Sequence, residues 1–402
     1  LDVIFPVLHG LYGEDGTFQG IDIVEDSVRK YIDDASMGPI LGYTGQASSE
    51  ELEELRQKNP DYSNDAIIGK SGIEKYMETS LQGTDGEETV TVDNLGKVLK
   101  IDDSTRVEPV AGNDTYLTID SSWQSAIYQI LKQRVAGILL SKIEASKTYD
   151  FSVNDAAQIK IPIYDVYNAL IANSVIDISK FSDANASDTE KNLYAKFQQK
   201  QQQVFDTITN RLTAENPPTV KDDQIQEYLT YICDDLLRDT LGIISKNAID
   251  TSDSTYQKWT TDKDISLKDY LTYAASQNWI DISKFSTEGD YLDSDEVYQA
   301  LTDYLIDYLK KDTNFSKLLY KYMLQEDTIS GSEICLVLYE QGVLSKDDGS
   351  YEALASGSMT AYDFMINKIY TLEIEPAQLA LEPCSASAVI TDVKTGDVLA
   401  CV

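Results

Sequence analysis

Histidine is almost missing from this sequence: one occurs in 402 residues. The four cysteines, Cys233, Cys335, Cys384 and Cys401, are scattered without a C-x-x-C pair, so a zinc site lacks ligands and no metal site is expected. The same sparse spacing excludes a disulfide framework, and the thiols are expected to be small buried hydrophobes. With 9 prolines and 21 glycines the chain is too poor in both for a collagen-like or low-complexity polymer. Basic residues are outnumbered as well, 33 against 68 acids, for a formal charge of -35. A surface of that sign repels nucleic-acid phosphates and anionic lipid, which excludes nucleic acid as a partner. No apolar run approaches the ~20 residues of a membrane helix; Val135–Leu140 and Ile334–Tyr339 are core-sized. The opening LDVIFP has neither an initiator Met nor a basic stretch ahead of an apolar run, so no signal peptide is expected within it.

What is present reads as a globular chain of two or three domains, 42% apolar and 25% charged. Residues 21–120 are strand-like: LGYTG (41–45), ETVTVDNLGKVLKI (88–101) and NDTYLTID (113–120) alternate around Gly and Asp-Asn turns. One helix is predicted over Ser48–Lys58, where Ser48 and Glu51 have the spacing of a capping box. From Asp120 onward the apolar period becomes helical. Ile163, Val166, Tyr167, Leu170 and Ile171 share a face, as do Ile225, Tyr228, Leu229, Ile232 and Leu236. Val297, Leu301, Tyr304, Leu305 and Tyr308 form a third, opened by Asp293 with Glu296. Residues 121 to about 372 are thus predicted to be largely helical. The string IDISKFS occurs at 176–182 and again at 280–286, an offset of 104 residues that suggests a duplicated helical subdomain. The chain closes on SASAVITDVKTGDVLACV, which predicts a β-hairpin turning at Gly396.

The segment GKSGIEKYMETSLQGTDG (69–86) carries four glycines suited to turns or close backbone approach, and a short helix beginning at Glu74 and Lys75 whose Ile73, Tyr76, Met77 and Leu81 can face a core. It resembles the G-x-x-G-x-E…L-x-G-x-x-G signature of the dimerisation, or pedestal, domain of class B penicillin-binding proteins. LGYTG and AGNDTYLTIDSSWQ (111–124) flank it in that family's order, and SASAVITDVKTGDVLA resembles the first two strands of its transpeptidase domain. The resemblance implies an α+β fold: a β-rich pedestal domain, a large mostly α-helical insertion and a terminal β-hairpin. It implies a pedestal motif of Gly69, Gly72, Glu74, Gly83 and Gly86, in which Glu74 is a buried, charge-paired organiser and Arg29 its partner. The expected domains are 21–140 for the pedestal, 141–372 for the insertion and 373–402 for the first strands of a transpeptidase domain cut short.

A second resemblance lies in residues 1–20. LDVIFPVLHGLYGEDGTFQG is similar to the H-G-x-x-G-E-D-G-x-x-Q-G segment of D-alanine:D-alanine ligases, in which His9 and Glu14 would lie by a substrate subsite. No ATP-grasp set of serine loop and metal-binding acids follows, so these residues are expected to be a grafted fragment without catalysis. Three strings imitate transpeptidase motifs: Ser27-Val-Arg-Lys30, Ser245-Lys-Asn247 and Lys394-Thr-Gly396. Each stands in the wrong place, since an acylated serine opens a buried helix with its lysine one turn on and would follow the terminal hairpin.

The expected function is therefore the non-catalytic front part of a penicillin-binding protein of peptidoglycan synthesis, whose complete form is a D,D-transpeptidase acylated by β-lactams. Such a parent would be extracytoplasmic and membrane-anchored, without a cofactor. Its partners would be other cell-wall synthesis proteins or a second copy, with peptidoglycan precursor met only through the catalytic domain. The alternatives are a D-alanine:D-alanine ligase fragment and a stand-alone acidic helical module that binds a protein.

Overall fold

The computed structural model describes residues 29–31, 35–92, 98–215, 217, 222–285, 293–346, 349–382 and 385–402. The fold is a mixed α+β one, and the described residues form two compact units: those up to Leu131 together with Ala386–Val402, and Lys132–Ser385.

The first unit is built from short elements. Helix α1 (Gly38–Leu41) leads into β1 (Thr44–Gln46), and α2 (Ser49–Arg56) follows. The predicted capping box is present: the Glu51 amide donates to the Ser48 hydroxyl and the Ser48 amide to the Glu51 carboxylate. Strand β2 (Ile67–Gly69) pairs antiparallel with β1 in the register Thr44 to Gly69 and Gln46 to Ile67. Two brief helices, α3 (Gly72–Tyr76) and α4 (Glu78–Leu81), precede the hairpin of β3 (Glu87–Val92) and β4 (Val98–Val107). The apolar core is small: Leu52 of α2 meets Tyr62, Ala66 and Ile68, with Ala47 and Leu55 at its margin.

The sequence predicted a strand over 113–120, and no strand forms there. Those residues are recruited at Thr118 and Asp120 by another element, as described below. Tyr76 was expected to face a core and is 83% exposed. Two residues along a helix turn the side chain by roughly 200°, so in so short a helix the burial of Glu74 sends Tyr76 outward.

Helix α5 (Ser121–Lys142) contains the division between the units. Its later residues Ala136 and Leu139 are fully buried in the core of the second unit, which runs from Lys132 to Ser385.

In the second unit β5 (Ile143–Glu144) pairs parallel with β6 (Ile161–Pro162), and the other elements described there are helical. Helices α6 (Ile163–Ala172) and α7 (Asp188–Thr213) are followed by α8 (Asp223–Thr230), which runs on as a π-helix over Tyr231–Thr240. Then come α9 (Ser254–Gln257), α10 (Leu267–Ser276), α11 (Ser294–Leu309) and α12 (Thr313–Gln325). The series ends with α13 (Gly331–Glu340), α14 (Ser350–Ala355), α15 (Ala361–Tyr370) and α16 (Pro376–Leu379). The three predicted apolar faces supply one continuous core. At its centre the Phe315 ring lies 6.0 Å from Phe205 and 5.7 Å from Tyr228, edge to face, and Phe197 stacks on Tyr320 at 4.8 Å.

A single kind of link joins many of these helices. A residue of positive φ ends the helix, a buried aliphatic follows two places on, and a polar cap comes next. Such residues stand at Asp327, Gly342, Gly357 and Leu372, fifteen residues apart. Ile329, Leu344 and Ile374 are the buried aliphatics, and Ser330 and Thr360 cap the next helices. The amides just beyond return to the preceding helix, as Thr328 does to the Met323 carbonyl and Val343 to that of Leu338; this satisfies carbonyls left free at a helix end. Both IDISKFS copies use the same device. Ser174 and Asn278 have φ of 57°, Ile176 and Ile280 are buried, and Asp177 and Asp281 cap short 3-10 turns.

The chain returns to the first unit for a terminal hairpin, β7 (Val389–Thr391) and β8 (Val398–Cys401), whose turn holds Gly396 at φ 81°.

Candidate functional site

In the first unit two carboxylates are buried, Glu74 at 3% exposure and Glu78 at 4%. They lie four positions apart across the junction of α3 and α4, on one face. A buried carboxylate is costly unless its charge is met, and each has its own answer. Arg29 reaches Glu74 with Nε 3.1 Å from Oε2, and its Nη1 donates to the Leu81 carbonyl at the end of α4. The guanidinium therefore both neutralises Glu74 and covers the negative end of a helix. Glu78 instead accepts from the Tyr62 hydroxyl at 3.0 Å and the Gly69 amide at 2.8 Å.

The phenols beside these acids record the packing. Tyr31 is held above its usual range, first by burial and then by its hydrogen bond to Glu74. Tyr62 is raised chiefly by burial, with the Glu78 charge adding to it.

The glycines of the motif let the backbone pass close by. A Cβ on Gly69 would fall 2.2 Å from the Glu74 carbonyl carbon, and Gly72 has φ +59° with a Cβ position 2.5 Å from the Ile40 carbonyl oxygen. Gly83, with a φ of +75°, packs against Val110, and Gly86 lies against Pro109. All five motif residues and Arg29 are thus gathered around α3, α4 and the start of the β3–β4 hairpin. His9, Glu14 and Ser27 lie outside the described residues, as does Cys384.

Sequence reasoning did not single out Glu78 or Tyr62. The four-residue step from Glu74 was a usable signal for Glu78; nothing local marks Tyr62. The thiols divide: Cys233 and Cys335 are buried and pushed well above the ordinary thiol range by burial, whereas Cys401 is exposed against expectation, on the face of β8 opposite the buried Ala400.

This arrangement contains ion pairing and hydrogen bonding without a nucleophile and base in contact. Among the described residues no group of His, Cys, Asp and Glu could hold a metal ion, and no helix is long and apolar enough to cross a membrane. Lys394 and Gly396 belong to the hairpin turn and Ser245 to a loop.

Residues 8–117 match the family model of the penicillin-binding protein dimerisation domain. That match begins inside the segment 1–20 that resembles a ligase, ahead of residue 21, where the pedestal was expected to start. The chain is 33% identical over 150 residues to the peptidoglycan D,D-transpeptidase MrdA of Salmonella typhimurium, covering 37% of this chain and 23% of that protein. It is 40% identical over 106 residues to the MrdA of Haemophilus influenzae, 26% of this chain and 16% of the relative. Penicillin-binding protein 3 of Bacillus subtilis is 30% identical over 132 residues, 33% of this chain and 19% of its own. The chain thus spans less than a quarter of the length of these relatives. The Glu74–Arg29 pair, the glycines around it and these matches coincide in one region, which is similar to the dimerisation domain of penicillin-binding proteins.

Proposed function

We propose that this chain serves peptidoglycan synthesis as the dimerisation and scaffolding part of a D,D-transpeptidase, and not as the part that is acylated. The observation that carries the reading is the match over 8–117, with the charge-paired Glu74 at the centre of the domain. The names of the relatives supply the reaction, and the resemblance of 385–400 to the first transpeptidase strands supplies the place where a catalytic sheet would begin. In finer detail, 21–140 is the pedestal, 141–372 a helical insertion and 373–402 the start of the catalytic domain. Arg29, Gly69, Gly72, Glu74, Gly83 and Gly86 set the pedestal's shape. A second copy or other cell-wall synthesis proteins are its partners, outside the cytoplasm. Nothing in the described site has the geometry for acyl transfer, which needs a hydroxyl and a base within hydrogen-bond reach.

Incubation of the purified chain with a fluorescent penicillin tests this. No covalent label is expected on a denaturing gel, while the MrdA relative run alongside should be labelled. A band abolished by Ser27→Ala would overturn the reading.

A further inference from the structure

The outer edge of β8 in the terminal hairpin is not left open, and a glutamine takes both outward backbone groups of Cys401. Gln124 stands in the first turn of α5 and is 0% exposed. Its Nε2 donates to the Cys401 carbonyl and to the Ser36 carbonyl, each at 2.8 Å, and its Oε1 accepts from the Cys401 amide, also at 2.8 Å. Both amide hydrogens and the carbonyl are engaged, and exchanging O for N would destroy all three bonds, so the orientation is determined by its surroundings.

The geometry of the hairpin explains what this does. Ala388 and Val402 exchange both backbone hydrogen bonds, so Cys401, one place along, turns its amide and carbonyl away from β7. Those outward groups are the two that Gln124 takes. The side-chain amide thus stands in for the peptide group of a third strand. Its neighbours continue the edge: the Asp120 amide donates to the Leu399 carbonyl at 2.9 Å, and the Thr118 hydroxyl to the Val398 carbonyl at 2.6 Å. Beneath them Ala400 is fully buried. Asp120 also caps α5, accepting from the Ser122 and Trp123 amides, so the donor row and the helix start share one rigid turn.

We propose that Gln124 is a positioning residue, whose side-chain amide completes the outer edge of β8 and fixes the 386–402 hairpin to the dimerisation region at residues 35–37 and 118–124. Among the described residues no strand pairs with the other edge of β7, to which further strands can add. If the proposed function holds, those strands open the catalytic sheet, and Gln124 sets the orientation in which the dimerisation region presents it; the anchoring itself does not rest on that reading.

Hydrogen exchange on the full chain tests it, with every rate referred to the unsubstituted protein at the same pH. With Gln124→Leu, of similar size and no hydrogen bonds, the Cys401 amide and segment 386–402 should exchange at least about tenfold faster, since the edge loses its partner. Residues 98–107 and the helical unit should stay within about twofold. Gln124→Glu should behave like the leucine variant at pH 8, where a carboxylate faces two carbonyls, and should regain protection on acidification as the introduced carboxyl becomes a donor. Thr118→Val should give a smaller loss than either. Unchanged protection with Gln124→Leu, equal loss across 98–107, a pH-independent Gln124→Glu, or a larger effect from Thr118→Val would each overturn the proposal. Penicillin labelling is a separate readout, so failure of the anchoring and failure of the proposed function are told apart.

Discussion

The two units hold together by different means. The helical unit has a large continuous apolar core in which aromatic rings meet ring to ring around Phe315 and Tyr320, with a few polar groups such as Glu190, Thr302 and Lys368 buried as well. In the first unit the apolar core is a handful of side chains around Leu52 and Tyr62. The buried residues described there include Ser36, Glu74, Glu78 and Gln124, each a polar group whose hydrogen bonds must be met. Apolar burial is non-directional and tolerates local repacking, whereas a buried carboxylate or amide demands a partner at one distance and angle. With so small an apolar core the first unit leans more on a few directed contacts, and the second more on the filling of space.

Substitutions that exchange these strategies should sharpen the contrast. Phe315→Ala removes a fully buried ring touching three others and should cost the helical unit about 3–5 kcal/mol. Glu74→Ala strands the partly exposed Arg29 and should cost the first unit about 3 kcal/mol, the lower end for breaking a buried pair because the guanidinium can regain water. Urea titrations followed by hydrogen exchange, which assign each loss to a segment, check both. Spread of either effect into the other unit would break the comparison.

Alkali should act on the helical unit through its buried phenols. Tyr298 is pushed up to about 12, mainly by burial, and donates to the Leu212 carbonyl at 2.6 Å. A phenol raised in the folded state adds stability that is complete below its unfolded pKa near 10 and is lost as pH climbs through the folded value. Stability should therefore fall between pH 10 and 12. Tyr298→Phe should cost about 1 kcal/mol at pH 7 for the lost hydrogen bond and make that fall shallower. Melting temperatures across pH measure it, and an unchanged alkaline slope would count against the assignment.

The smallest effect concerns a helix link. Ala380 ends α16 at φ 48°, exposed, in a conformation that costs a residue with a Cβ about 1 kcal/mol. Ala380→Gly should raise the stability of the helical unit by up to that amount, and a decrease in the denaturation midpoint would show that the methyl group packs.

Legibility from sequence followed the range of the interaction. The helices over 163–171 and 297–308 were readable because their apolar periodicity is written in consecutive turns. So were the capping boxes at Ser48 and Asp293, since cap and acceptor lie three residues apart. The fifteen-residue link was not read, because only two of its four positive-φ positions are glycine and Asp327 and Leu372 leave no sign. Glu74 could be singled out only through a resemblance; by itself an acid in a short helix reads as a surface residue.

By itself the sequence determined the acidic surface, the switch from strand-like to helical pattern near Asp120, and the hairpin around Gly396, for these depend on composition and near neighbours. Tertiary structure alone decided which buried polar group meets which. Arg29 finds Glu74 from 45 positions away, and Gln124 closes the edge of β8 across 277. No local propensity encodes such a pair: a hydrogen bond depends on where two atoms come to lie once the chain between them has folded.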